Sequence, residues 1–195
     1  VGSDSYVIGL TGHGNARINI QEVQPTGPGD PAASDSDALT VEGSNAADMF
    51  LFRKKSISAV EIDAQGNFVP NAGAVRVGYT QDLESILVKG NEGNDIFVLD
   101  DTSVALDIRG GRGNDQFQVG QVFKSQRDAL SNVAEEDQFE TIPTTQGFLS
   151  NGVSAPASLW GGDGDDTFTV YRNVAELSLY GEADNDNFLI RAFVR

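Results

Sequence analysis

A nine-residue phrase recurs along this chain and restricts its fold more than any bulk property. It reads Gly-Asn-Glu-Gly-Asn-Asp-Ile-Phe-Val from Gly90 to Val98, Gly-Gly-Arg-Gly-Asn-Asp-Gln-Phe-Gln from Gly110 to Gln118, and Gly-Gly-Asp-Gly-Asp-Asp-Thr-Phe-Thr from Gly161 to Thr169. Looser copies run from Gly43 to Phe50 and from Gly181 to Phe188. The leading glycines are 47, 20, 51 and 20 residues apart, and Asp48, Asp95, Asp115, Asp166 and Asp186 keep the same intervals. Two residues after each aspartate stands a phenylalanine: Phe50, Phe97, Phe117, Phe168 and Phe188. Four and two residues before each glycine the chain is apolar, as in Ile86 and Val88, Leu106 and Ile108, or Leu177 and Leu179. Period-two alternation on both sides of a glycine-rich turn specifies strand, tight turn, strand, with one face buried.

Twenty residues cannot bury such a face alone, so successive units must stack on one another. The phenylalanines then form one interior row and the aliphatic columns the opposite wall. Lys89, Arg109, Trp160, Tyr180, Gln116, Thr167 and Asn187 fall on the outward phase. The spacing predicts an all-β fold, specifically a parallel β-helix or β-roll-like solenoid. Residues 1–195 read as a single segment of a larger chain, with 24–38, 56–80 and 121–156 as insertions hanging off it. Within these, Ile57–Asp63 and Ala74–Tyr79 read as a protruding hairpin or an extra coil lacking the phrase. Lys124 to Asp137 has room for a short helix. Ile8, Leu10, Ile18 and Ile20 suggest a weaker opening coil without the aspartate.

The formal charge of −16, from 29 acidic and 13 basic residues, argues against a nucleic-acid partner, since phosphate neutralisation needs Lys and Arg. It argues equally against an anionic membrane surface. There is no cysteine, so disulfides and thiolate metal sites are excluded, and no apolar run is long enough to span a bilayer. Stacking would place equivalent aspartates about 4.8 Å apart. Their repulsion is then about 1 kcal/mol in water and about 3.5 kcal/mol at an effective dielectric of 20. A hard divalent cation between the turns would convert that repulsion into coordination. Calcium suits an all-oxygen, flexible site, whereas zinc and copper prefer the histidine and cysteine that the phrase lacks. The competing reading is a metal-free turn that uses glycine for curvature and aspartate to cap backbone amides.

The phrase resembles the calcium-binding nonapeptide of the repeats-in-toxin (RTX) family, Gly-Gly-x-Gly-x-Asp-x-hydrophobe-x. Gly110 to Gln118 and Gly161 to Thr169 match it fully, and Gly90 to Val98 carries Asn91 for the second glycine. The resemblance implies Asp95, Asp115, Asp166 and Asp186 as carboxylate ligands. It also implies Gly90, Glu92, Asn94, Gly110, Arg112, Asn114, Gly161, Asp163 and Asp165 as donors of backbone oxygens. It further implies a calcium-binding structural or adhesive module of a large secreted or cell-surface bacterial protein, not an enzyme. Its partners would be calcium ions, neighbouring repeats of the parent chain, and surface glycans or protein. The alternative is a β-helix polysaccharide-active enzyme, a lyase or epimerase, or its carbohydrate-binding module. No Arg or Lys column repeats, and Arg172, Glu176 and Asp107 are scattered, which disfavours that chemistry. His13, the single histidine, reads as a turn residue, and Arg53-Lys54-Lys55 as a solvated strand exit. Glu135-Glu136-Asp137 is an acidic loop run that could hold an additional cation.

Overall fold

The computed structural model describes residues 3–10, 14–21, 36–63, 65, 67–69 and 73–191. His13 and most of the 24–38 insertion lie outside them. The described residues contain no α-helix, and their strands form three sheets. The first is all parallel, in the order β1 (Ser5–Gly9), β3 (Ala38–Glu42), β7 (Ser85–Glu92), β9 (Ala105–Arg112), β14 (Ala157–Asp163) and β16 (Leu177–Glu182). The second has eight strands: β17 (Asn187–Ile190), β15 (Thr167–Val170), β10 (Gln116–Val119), β8 (Ile96–Leu99), β4 (Met49–Arg53), β5 (Ser56–Val60), β6 (Ala74–Tyr79) and β2 (Arg17–Ile20). The third is a small antiparallel sheet of β11 (Val122–Phe123), β13 (Gly147–Ser150) and β12 (Thr141–Thr144).

This architecture corrects the expected solenoid. The protein is all-β, but its strands belong to three distinct sheets, with no closed barrel, and the eight-stranded sheet is mixed. β5 runs antiparallel to both β4 and β6, between strands that are otherwise parallel to their neighbours. The physical reason lies in 56–80. These residues do not protrude as a hairpin, because Ile57, Ala59, Val75 and Val77 alternate with polar residues and enter the core. Their backbone completes the ladder between β4 and β2, and the repeating parallel unit is interrupted there. The 121–156 segment departs from the repeat as well, forming its own sheet and a 3-10 turn at Glu135–Asp137 in place of a short helix.

The two large sheets share one core. Leu39, Val41, Ile86, Val88, Leu106, Ile108 and Leu159 come from the six-stranded sheet; Phe50, Phe52, Phe97, Leu99, Phe117, Val119, Phe168 and Val170 come from the eight-stranded one. Parallel register sets Phe50, Phe97, Phe117, Phe168 and Phe188 opposite one another. Their rings stack at centroid separations of 5.5, 4.9, 4.6 and 4.7 Å. Each such pair contributes about 0.5–1.5 kcal/mol beyond the burial of its area. Outside the core, the 121–156 segment covers the polar face of β4, β5 and β6. Asp137 accepts hydrogen bonds from Arg53 and Arg76, Glu136 accepts one from Arg17 at 2.8 Å, and Arg127 lies over the rings of Phe123 and Phe139. Arg53 is therefore an anchor and not a solvated strand exit, and in the acidic run at 135–137 Glu136 and Asp137 are paired with arginines.

The phenylalanine row makes a graded prediction. Phe117→Ala should cost about 3–5 kcal/mol in urea unfolding, the usual loss for a fully buried ring. Phe188, 45% exposed at the end of the row, should cost clearly less. Equal losses would show that the stack does not carry the core.

Candidate functional site: a row of glycine-aspartate turns

Three turns of the same construction stack between the sheets' strands, joining β7 to β8, β9 to β10 and β14 to β15. A fourth, joining β16 to β17, closes the row, and the turn between β3 and β4 opens it. The second and fourth residues of the phrase adopt left-handed backbone: Gly111 and Gly113 have φ of 115° and 128°. Glycine populates this region without the steric cost that a Cβ brings. Where the second glycine is replaced, Asn91 keeps the conformation (φ 82°) and its amide donates to the Gly43 carbonyl at 2.9 Å. In the last turn Glu182 and Asp184 occupy the same region, at 78° and 72°. The turns touch directly. Gly93 N–H donates to the Arg112 carbonyl and Gly113 N–H to the Asp163 carbonyl, both at 2.9 Å.

Two hydrogen-bonded ladders run through this stack in opposite directions. In the inner one, the amide of each aspartate donates to Oδ1 of the next: Asp48 to Asp95 and Asp95 to Asp115 at 2.8 Å, Asp115 to Asp166 at 2.7 Å, Asp166 to Asp186 at 3.1 Å. In the outer ladder each amide donates backwards, from Asn114 to Asn94 Oδ1, Asp165 to Asn114 Oδ1 and Asn185 to Asp165 Oδ1, at 2.9, 3.1 and 3.0 Å. This outer ladder uses side chains that the sequence had suggested only as donors of backbone oxygens. The signal available was the Asn or Asp standing immediately before every aspartate of the four later copies.

The second carboxylate oxygen of the inner ladder has no such partner. Asp95, Asp115 and Asp166 are at most 1% exposed, and Oδ2 of each is buried without a hydrogen-bond donor. Each Oδ2 sits against the leading glycine of its own turn and beside the carbonyl of the next turn's glycine. A Cβ at Gly110 would overlap Asp115 Oδ2 and lie 2.6 Å from the Gly161 carbonyl; one at Gly161 would overlap Asp166 Oδ2 and lie 2.7 Å from the Gly181 carbonyl. Gly90 is placed the same way between Asp95 Oδ2 and the Gly110 carbonyl. A donor-less carboxylate oxygen and a carbonyl oxygen therefore border the same glycine three times in succession. Asp48 differs, because its Oδ2 accepts from both the amide and the hydroxyl of Ser44, at 2.6 and 2.8 Å.

Burial raises the Asp95 carboxyl to about 7, opposed by the hydrogen bond from the Asp48 amide and reinforced by the Asp48 charge. Burial likewise raises Asp115 to about 8, with the charges of Asp95 and Asp166 adding to it, and Asp166 to about 6.

Of the residues suggested by sequence, the structure brings Asp95, Asp115, Asp166 and Asp186 into one row, with Gly90, Gly110 and Gly161 against it. Gly181, whose carbonyl continues the same pattern, was missed. The Arg112 and Asp163 carbonyls already accept turn-to-turn hydrogen bonds. The Arg112 side chain turns outward, with ion-pair distances of 3.6 Å to Glu92 and 3.7 Å to Asp163. Among the described residues no three acidic or imidazole side chains converge, so a cation here would depend on paired carboxylate and carbonyl oxygens. The donors present are all hard oxygens, the ligand type calcium takes, and the unpartnered Oδ2 atoms leave that pairing open. Trp160, on the outer face beside the row, stacks on Tyr180 at 3.8 Å and donates to Asp107 Oδ2 at 3.2 Å. Comparison of the chain with protein-family models, curated proteins and solved structures gave no significant match.

Two outcomes follow from this geometry. Gly110→Ala should destabilise by about 1–3 kcal/mol or more, as overpacking does. Gly9→Ala, where a Cβ meets nothing within 4 Å, should be nearly neutral in the same denaturation experiment. The carboxyls set the pH response in calcium-free buffer. An unfolded aspartate titrates near about 3.9, below the folded values of Asp95, Asp115 and Asp166. Between about pH 4 and pH 8 the folded protein thus holds the extra protons, and stability falls as pH rises. Thermal melts in EDTA should give a higher midpoint at pH 5 than at pH 8. A midpoint that is flat or rising would place these carboxyls in water.

Proposed function

We propose that this protein is a calcium-stiffened structural or adhesive module of a large secreted or cell-surface bacterial protein. The observation that carries the reading is the row of buried, donor-less Oδ2 atoms on Asp95, Asp115 and Asp166, each beside a glycine carbonyl. A buried carboxylate oxygen without a donor is relieved by a proton or a cation, and divalent ions between successive turns would cancel the repulsion along the row. Asp95, Asp115, Asp166 and Asp186 would hold the ions, with the Gly110, Gly161 and Gly181 carbonyls. Bound calcium would supply positive charge and tie neighbouring turns together. The net charge of −16 and the resemblance of the phrase to the repeats-in-toxin nonapeptide support the same reading. A module that folds more firmly in calcium-rich surroundings suits an extracellular role.

Binding to the folded form alone adds about 2.7 kcal/mol per site at a hundred times the dissociation constant. Thermal unfolding should therefore shift upward on titration with calcium and not with magnesium. Because coordination needs the ionised carboxylates, the shift should be larger at pH 8 than at pH 5. Asp115→Asn gives the sharper result. Its uncharged amide removes the donor-less buried carboxylate oxygen, so the variant should be at least as stable as wild type in EDTA while losing much of the calcium response. A calcium response that survives Asp115→Asn undiminished, or wild type indifferent to calcium, would refute the proposal.

A further inference from the structure

A cleft of about 480 Å³ opens on the other side of the eight-stranded sheet, where the acidic turn at 135–137 meets β2, β5 and β6. Its floor is Gly78, opposite Asn19 on β2 and Ser56 on β5. Arg76, two residues before Gly78 on β6, projects to the same face by the period of a strand, and Thr80, just past the end of β6, lines the same cleft. The missing side chain at Gly78 makes the recess: a Cβ there would meet Asn19 Oδ1 at 2.6 Å.

Three buried groups able to donate border this recess without a partner. Ser56 is 1% exposed and its hydroxyl has no partner; Thr80 Oγ1 and Arg76 Nη1 are also buried and unpartnered. The rest of the Arg76 guanidinium is engaged, Nε with Ser58 Oγ at 3.1 Å and Nη2 with Asp137 at 2.8 Å. Nη1 reaches only to 3.9 Å from Glu136 Oε1, an oxygen that Arg17 already holds at 2.8 Å. Lys55 lines the same cleft, and its ammonium forms no ion pair with any described residue. Guanidinium and ammonium groups can only donate, and hydroxyls can donate as readily as accept. A ligand for this set must offer acceptors and negative charge. Three cations, Arg17, Lys55 and Arg76, and two carboxylates, Glu135 and Glu136, line the recess, an excess of one positive charge in a chain of net charge −16.

We propose that this cleft binds a small oxyanion, a sulfate, phosphate or carboxylate group, through Arg76 Nη1 and the Ser56 and Thr80 hydroxyls, with Lys55 at the mouth. The site is independent of the aspartate row and stands or falls separately from calcium binding. Titration calorimetry on the full chain in EDTA, with sodium sulfate, phosphate and glucuronate each against sodium chloride of equal ionic strength, tests it. Saturable binding of at least one oxyanion is expected. It should weaken about tenfold in Lys55→Gln and in the double variant Ser56→Ala, Thr80→Val, since charged hydrogen bonds are among the stronger ones. Removing unpartnered buried hydroxyls should leave the melting temperature without anion unchanged or raised, so these variants remain folded. No saturable binding above the chloride control would overturn the proposal. So would affinity that is the same in wild type and variants.

Discussion

The turns of this protein stack in direct backbone contact, and most of its other features are consequences of that closeness. Contact at the distance of the Gly93 to Arg112 and Gly113 to Asp163 hydrogen bonds leaves no space for Cβ atoms on the facing positions. Glycine is then required at Gly90, Gly110 and Gly161 for room, and at Gly111 and Gly113 for left-handed backbone as well. The same closeness brings one aspartate over the next and fixes the register of the strands that follow. With register fixed, Phe97, Phe117 and Phe168 have to meet face to face. Turn geometry and core packing are thus a single constraint expressed at two depths.

Charge is arranged around that constraint. The inner ladder uses one carboxylate oxygen to satisfy an amide and, on Asp95, Asp115 and Asp166, leaves the other without a donor. The outer ladder, directed the opposite way, satisfies a second line of amides with Asn and Asp side chains nearer the solvent. The turn at Asp48 meets the same demand with Ser44, a neutral local donor. Away from the turns, Asp137 and Glu136 bind the 121–156 segment to arginines on three strands, so part of the acidity acts as an internal clamp.

The repeated phrase made the turns, the phenylalanine row and the aspartate row legible, because each depends on residues at fixed short spacing. Phe117 opposite Phe97 follows from period-two alternation and a constant interval. What stayed hidden was the fate of residues outside the phrase. Ile57 and Val77 show alternation, which is equally compatible with a protruding hairpin, an extra coil or a strand pair taken into an existing sheet. Nothing local separates these, since the choice depends on whether the ladder between β4 and β2 has room for two more strands. The expected solenoid was lost for that reason. The pairing of Arg53 with Asp137, 84 residues away, was hidden for a related one: each is an ordinary surface charge until the third sheet brings them together.

By itself the sequence determined that the chain is all-β, that its turns need glycine, and that its aspartates lie in a line, because hydrophobic period and turn stereochemistry are properties of a few neighbouring residues. Tertiary structure alone decided the direction in which β5 and β6 join the sheet, which carboxylate oxygens are left without donors, and where the arginines of a strongly acidic chain converge. Those outcomes depend on which backbone groups are already paired when segments distant in sequence meet, and no local pattern records that.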